Sequence, residues 1–176
     1  NYDATHYNAD DVTKLEQLGF ETLALDAHNV DQYRDFGEKL TARVTIEMTM
    51  SRYLDKVYQA LAVAAGKKTT QPRTTLMLGD GKESNYLVMG TKGLHADVFS
   101  KCGAKPVGVD SDVFQAPNLE SLIDMDPEII YSDGNAQAIY SDARLQGVSA
   151  VKNRHVYDID GKDILRIGAK LNTIIE

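Results

Sequence analysis

Apolar residues open the chain at helical spacing. Val12, Leu15 and Leu18, with Gly19 behind them, predict a helix over Asp10–Leu18 and its stop, and Thr22–Leu25 predicts a short strand after it. A linking stretch around His28 to Asp31 follows. Ile46, Met50, Tyr53, Leu54, Val57, Tyr58, Leu61 and Ala64 then recur every three or four residues, the pattern of one amphipathic helix over about Thr45–Ala65. At 1.5 Å per residue that helix is on the order of 30 Å long, enough to brace two lobes. Gly66-Lys67-Lys68 closes it, and the polar run through Pro72 reads as a loop.

Beyond that loop, short apolar runs alternate with amphipathic ones. Strands are expected at Thr75–Leu78, Pro106–Val109, Glu128–Tyr131 and Val156–Ile159, and helices at Leu94–Cys102, Leu119–Met125, Ala136–Asp142 and Ile164–Ile175. A strand followed by a helix and then another strand builds an open, mostly parallel sheet flanked by helices. The expected fold class is therefore α/β with a long connecting helix. Three parts follow: 1–40 as an αβ unit, 41–68 as the connecting helix and 69–176 as the α/β lobe.

Charge narrows the function classes. Lys and Arg total 19 against 26 Asp and Glu, a net charge of -7, whereas a nucleic-acid partner calls for a basic face. The longest apolar stretches, such as Ala60–Ala65, fall far short of the ~20 residues that cross a bilayer, and Asn1-Tyr2-Asp3 does not read as a signal sequence. A single Cys102 excludes an internal disulfide and a multi-cysteine metal site. With Gly103 as a helix stop behind it, it reads as a packed thiol.

In open α/β sheets the loops after the strands carry function. Gly79-Asp80-Gly81-Lys82-Glu83-Ser84-Asn85-Tyr86 has two glycines but neither the phosphate-loop pattern nor the dinucleotide spacing. In Gly90-Thr91-Lys92-Gly93-Leu94-His95, Thr91 is placed to cap the next helix, and His95 is either a ligand contact or a surface side chain. Asp110-Ser111-Asp112 offers two carboxylates to a cation or forms a turn, and Ser132-Asp133-Gly134-Asn135 is a turn or a cleft wall. No nucleophile, base and orienting group emerge from the spacing, so an enzyme is not expected. Tyrosine outnumbers phenylalanine nine to four, which suits a cleft for a large, partly apolar ligand, although Tyr53 and Tyr58 are expected to pack on the long helix.

Three segments carry a family likeness. The run Thr75-Leu76-Met77-Leu78-Gly79-Asp80-Gly81, the run Asn118-Leu119-Glu120-Ser121-Leu122-Ile123-Asp124-Met125-Asp126-Pro127-Glu128-Ile129-Ile130, and Gly147–Tyr157 with its Val151-Lys152-Asn153-Arg154-His155-Val156-Tyr157 core resemble the C-terminal half of periplasmic-type substrate-binding proteins for iron-siderophores, haem and cobalamin. His155 and a missing glycine before Arg154 depart from the family's pattern. The likeness covers essentially the whole chain, with Leu15–Asp26 resembling the last αβ unit of the N-terminal lobe and the helix near 45–65 the rigid connector. It implies that roughly a hundred residues of a first lobe are missing, a size taken from ordinary domains.

The resemblance implies an extracytoplasmic solute-binding component of an ABC importer, without cofactor or chemistry. Its ligand would be a metal chelate or tetrapyrrole: an iron-siderophore, haem or corrinoid, with an oxyanion such as molybdate not separable. It sets Tyr2, Asp3, His6 and Tyr7 across a cleft from Lys82, Tyr86, His95 and Asp133, and gives Glu120 the role of docking on arginines of the membrane permease. A different class of function is a lone-lobe interaction or sensor module, in which apolar surface drives an exchanged homodimer.

Overall fold

The computed structural model describes residues 9–23, 25, 27–44, 47–67, 70–78, 86–160, 171 and 175. Its first helix, α1 (Ala9–Gln17), ends where expected. Thr22, Leu23 and Leu25 are not in a strand, and Ala24 lies outside the described residues. A strand exists only where another pairs with it, and no described segment is paired with this one.

The linker expected from His28 to Asp31 becomes a helix instead. Val30, Tyr33 and Gly37 recur at helical spacing and are buried, and α2 spans Val30–Val44. Asn29 starts it, its side-chain oxygen accepting from the Gln32 amide at 2.8 Å. The long helix is α3 (Glu47–Gly66). Val57 and Leu61 on α3, Val30 on α2, and Leu94 and Val98 on α4 (Leu94–Cys102) make one apolar cluster with Leu171. Tyr53 and Tyr58 pack against its margin.

Polar bonds reinforce this three-helix junction. Tyr58 donates its hydroxyl to Asp31 at 2.6 Å, Lys101 reaches both Asp31 and Asp97, and the Val30 amide donates to the Asp97 carboxylate at 2.9 Å. Burial and the neighbouring Asp31 push the Tyr58 hydroxyl up to about 12, so it stays a donor at every physiological pH.

The sheet comprises β1 (Arg73–Leu78), β2 (Leu87–Val88), β3 (Lys105–Pro106), β4 (Ile129–Ser132) and β5 (Val156–Asp158). Its order is β2-β1-β4-β5, with β3 also on β1. The β1–β3, β1–β4 and β4–β5 pairs are parallel and β1–β2 is antiparallel. This is the mostly parallel arrangement that the alternation predicts, plus one strand, β2, just beyond the loop read at Gly79–Tyr86. The strand around Pro106 is shorter than expected: the Val107 amide still donates to Thr74 of β1, but Val109 donates to Met89 instead.

Crossover helices α5 (Leu119–Met125), α6 (Ala136–Ser141) and α7 (Ser149–Lys152) link the strands. Ile130, Val156, Leu122, Ile139, Leu145 and Val151 form the main core on one face of the sheet. Met89 and Ala96 form a smaller one, with Phe99, Phe114 and Tyr131 packed on it. Leu171 and Ile175 are helical, in keeping with the expected terminal helix, whose other residues from 164 on lie outside those described.

Candidate functional site

Two loops leave the sheet side by side. Val109, beyond β3, bridges Gly90 in parallel, so the segments 91–93 and 110–112 emerge side by side. Backbone bonds join them: Val109 donates to Met89 at 3.1 Å, Thr91 to Val109 at 2.9 Å and Lys92 to Ser111 at 2.9 Å, while Val88 and Gln115 bond reciprocally. A methyl carbon on Gly90 would lie 2.2 Å from the Ser111 carbonyl oxygen, one on Gly93 2.3 Å from that of Asp112, and one on Gly108 2.1 Å from that of Met89. Only glycine permits so close an approach of two backbones. The Ser111 hydroxyl accepts from the Val113 amide and the Gln115 side chain, both at 3.1 Å.

The seam's outer side carries a cavity of about 500 Å³ lined by His28, Lys92, Asp110, Ser111 and Asp112. A second, of about 240 Å³, adjoins it, with His28 and Lys92 again in its wall and Asn29, Thr91, Gly93 and Asp97 beyond. His28, delivered by the segment before α2, thus meets loops of the sheet. Its Nδ1 lies 3.7 Å from Asp112, and Lys92 Nζ lies 2.8 Å from Asp110. The hydrogen bond from Lys92 to Asp110 holds the ammonium above its ordinary value, so it is charged throughout the physiological range. Helix α4 begins at Gly93, which offers its first amides no side-chain cap.

Of the residues singled out in the sequence, Tyr2, Asp3, His6, Tyr7 and Lys82 lie outside those described. Tyr86 is 2% exposed and belongs to the main core; its hydroxyl donates to Asp142 at 3.1 Å. The β2 strand starts directly behind it. His95, on the first turn of α4, is half-buried with its ring edge-on to Phe114 at 5.1 Å. Asp133 follows β4 and accepts from the Asn135 side chain at 2.9 Å; it is not among the residues lining either cavity. Glu120 is exposed on the first turn of α5 behind its cap Asn118. Thr91 does not cap α4: its hydroxyl donates to the Val109 carbonyl at 3.1 Å, across the seam.

Asp110-Ser111-Asp112 forms a bend, and among the described residues no group of three or more His, Cys, Asp or Glu side chains is placed to hold a metal ion. Sequence reasoning noticed the loops of Lys92 and Asp110 but missed His28 as a site residue. Its signal was the cap-like Asn29 before the Val30, Tyr33, Gly37 periodicity, which fixes where α2 starts.

A mostly parallel sheet flanked by helices, with a mixed-charge cavity between two of its loops, is an α/β architecture. The model of the periplasmic binding protein family matches residues 3–162, and the chain belongs to that family. It is a family of binding proteins rather than of enzymes, and a periplasmic family is an extracytoplasmic one. Solved structures repeat the fold. The vitamin B12-binding protein BtuF of Vibrio cholerae aligns at a TM-score of 0.77 with 19% identity, over 99% of this chain and 69% of that one. The haem-binding protein HutB of Vibrio cholerae aligns at 0.78 with 14% identity, over 98% and 72%. S. aureus IsdE complexed with haem aligns at 0.69 with 20% identity, over 93% and 68%. A comparison with curated protein sequences finds no match. Among the described residues no helix is long and apolar enough to cross a membrane.

Proposed function

We propose that this chain is the extracytoplasmic solute-binding component of an ABC importer and that its ligand is an iron-siderophore, haem or a corrinoid. The observation that carries the reading is the cavity of about 500 Å³ where His28 meets Lys92 and Asp110–Asp112, in a chain of the periplasmic binding protein family. Ligand sites of a few hundred cubic ångströms at the carboxyl ends of parallel strands are what such sheets build. In this reading His95 and Asp133, which line neither cavity, add ligand contacts of their own. Tyr2, His6, Tyr7 and Lys82 add contacts from segments outside those described, and α3 is the connector between residues 1–40 and the lobe from 69 on. Glu120, exposed and acidic, docks on basic residues of the permease. The ligands named for the similar structures support the ligand class. Titration with haemin, cyanocobalamin and ferric siderophores, followed by absorbance, tests it: saturable binding of one is expected, and none with any of them would overturn it.

A second reading has its own observation. Leu15, Leu18 and Phe20 are exposed, the last two at 74% and 61%, and apolar surface of that kind favours association. In that reading the chain is an interaction module that forms a homodimer through the α1 end. Light scattering behind size-exclusion separates the two, because Leu18→Asp would convert a dimer to a monomer and leave a monomeric binder unchanged.

A further inference from the structure

The two cavities at the seam share two wall residues, His28 and Lys92. Both residues therefore wall a space of about 500 Å³ and one of about 240 Å³. They are held unequally. The backbone of Lys92 is pinned by its amide bond to Ser111 and by Gly90 and Gly93 pressed against the opposite loop. Its side chain, in contrast, is 65% exposed, and the ammonium rests on Asp110, whose side chain is 82% exposed. Ion pairs so open to water are weak and exchange partners readily. When Lys92 leaves Asp110, that carboxylate stays hydrated, so little opposes the exchange. The smaller cavity ends on the start of α4, beside Gly93 and Asp97. There amides without a side-chain cap favour negative charge, while the Asp97 carboxylate is already committed to the Val30 amide and Lys101.

Resting on the binding function above, we propose that Lys92 is a gate that selects ligands bearing an anionic arm. Asp110 holds the ammonium in the free protein. A carboxylate of the ligand takes it over, the side chain swings aside, and the two cavities join into one. Asp110 is thus an internal competitor of the ligand, and removing it has the opposite sign to removing Lys92.

The test is a double-mutant cycle on the full chain, with haemin and haemin dimethyl ester as probes, the second carrying the same ring with both carboxylates blocked. For haemin, Lys92→Met is expected to weaken affinity about tenfold and Asp110→Asn to strengthen it about threefold. The double variant should match Lys92→Met alone, because Asp110 acts only through Lys92. The ester should show neither effect, and raised salt should shrink both. Haemin binding with an unchanged affinity in Lys92→Met, or equal effects on the ester, would overturn the gate while leaving solute binding intact. No saturable haemin binding by the parent chain would overturn the gate, and failure with cyanocobalamin and ferric siderophores as well would remove the binding function beneath it.

Discussion

The Tyr86 hydroxyl donates to the Asp142 carboxylate at 3.1 Å, tying the residue that precedes β2 to the end of α6, 56 residues later in the chain. The ring is buried among core side chains, so this tyrosine helps to close the lobe. Tyr86→Phe keeps the ring and deletes the bond. It should lower stability by about 1–2 kcal/mol in denaturant unfolding and leave ligand affinity unaltered. A change in affinity at unchanged stability would return Tyr86 to the cleft.

Asp142 also accepts from the Arg144 side chain and amide. These bonds, with that of Tyr86 after them, outweigh burial and hold its carboxyl at about 2 against an ordinary 3.8. A carboxyl depressed by folding stabilises above its unfolded value, and the contribution disappears as pH falls through the folded one. The stability it supplies should therefore be complete above about pH 4 and fade toward pH 2. Asp142→Asn should cost about 1–2 kcal/mol at neutral pH. Unfolding midpoints measured from pH 7 down to 2 should show the two proteins converging at the acid end.

Gly90→Ala sets a methyl carbon 2.2 Å from the Ser111 carbonyl oxygen, which forces the seam apart. A loss of about 1–3 kcal/mol is expected, together with weaker ligand binding, since the same displacement moves Lys92 and Asp110. Calorimetry on the free protein and titration on the complex would read the two effects, and a variant as stable as the parent would contradict the close approach.

Thr75, next to Ile130 across the β1–β4 pair, is fully buried, and its hydroxyl has no hydrogen-bond partner among the described residues. A buried hydroxyl without a partner costs about 1–3 kcal/mol relative to an apolar group of the same shape. Thr75→Val should therefore raise the unfolding free energy by about 1 kcal/mol, seen as a higher denaturant midpoint at unchanged slope. A fall in the midpoint would show that the hydroxyl is satisfied.

Much of this architecture could be read from periodicity. Leu94–Cys102 and Leu119–Met125 fall where their apolar spacing places them, the first with Gly103 as its stop, because both signals are local. Helix α2 was harder, since Gly37 and a dense charge pattern blur a face that becomes apolar only against Val57, Leu61 and Leu94. Strand β2 has two residues, too few for a period, and exists because Met77 and Leu78 lie opposite it. The site was least legible for the same reason. His28 and Lys92 are 64 positions apart, and only the junction of α2 with α4 brings them to one cavity.

The seam at Gly90, Gly93 and Gly108 is held by main-chain bonds with the Thr91 hydroxyl added, whereas the side chains of Lys92, Asp110 and Asp112 stand at the surface. Framework and specificity are therefore separable. An engineer seeking a new ligand could randomise those three positions with His28 while holding the glycines constant, and each library member would present a different chemistry on the same unmoved rim.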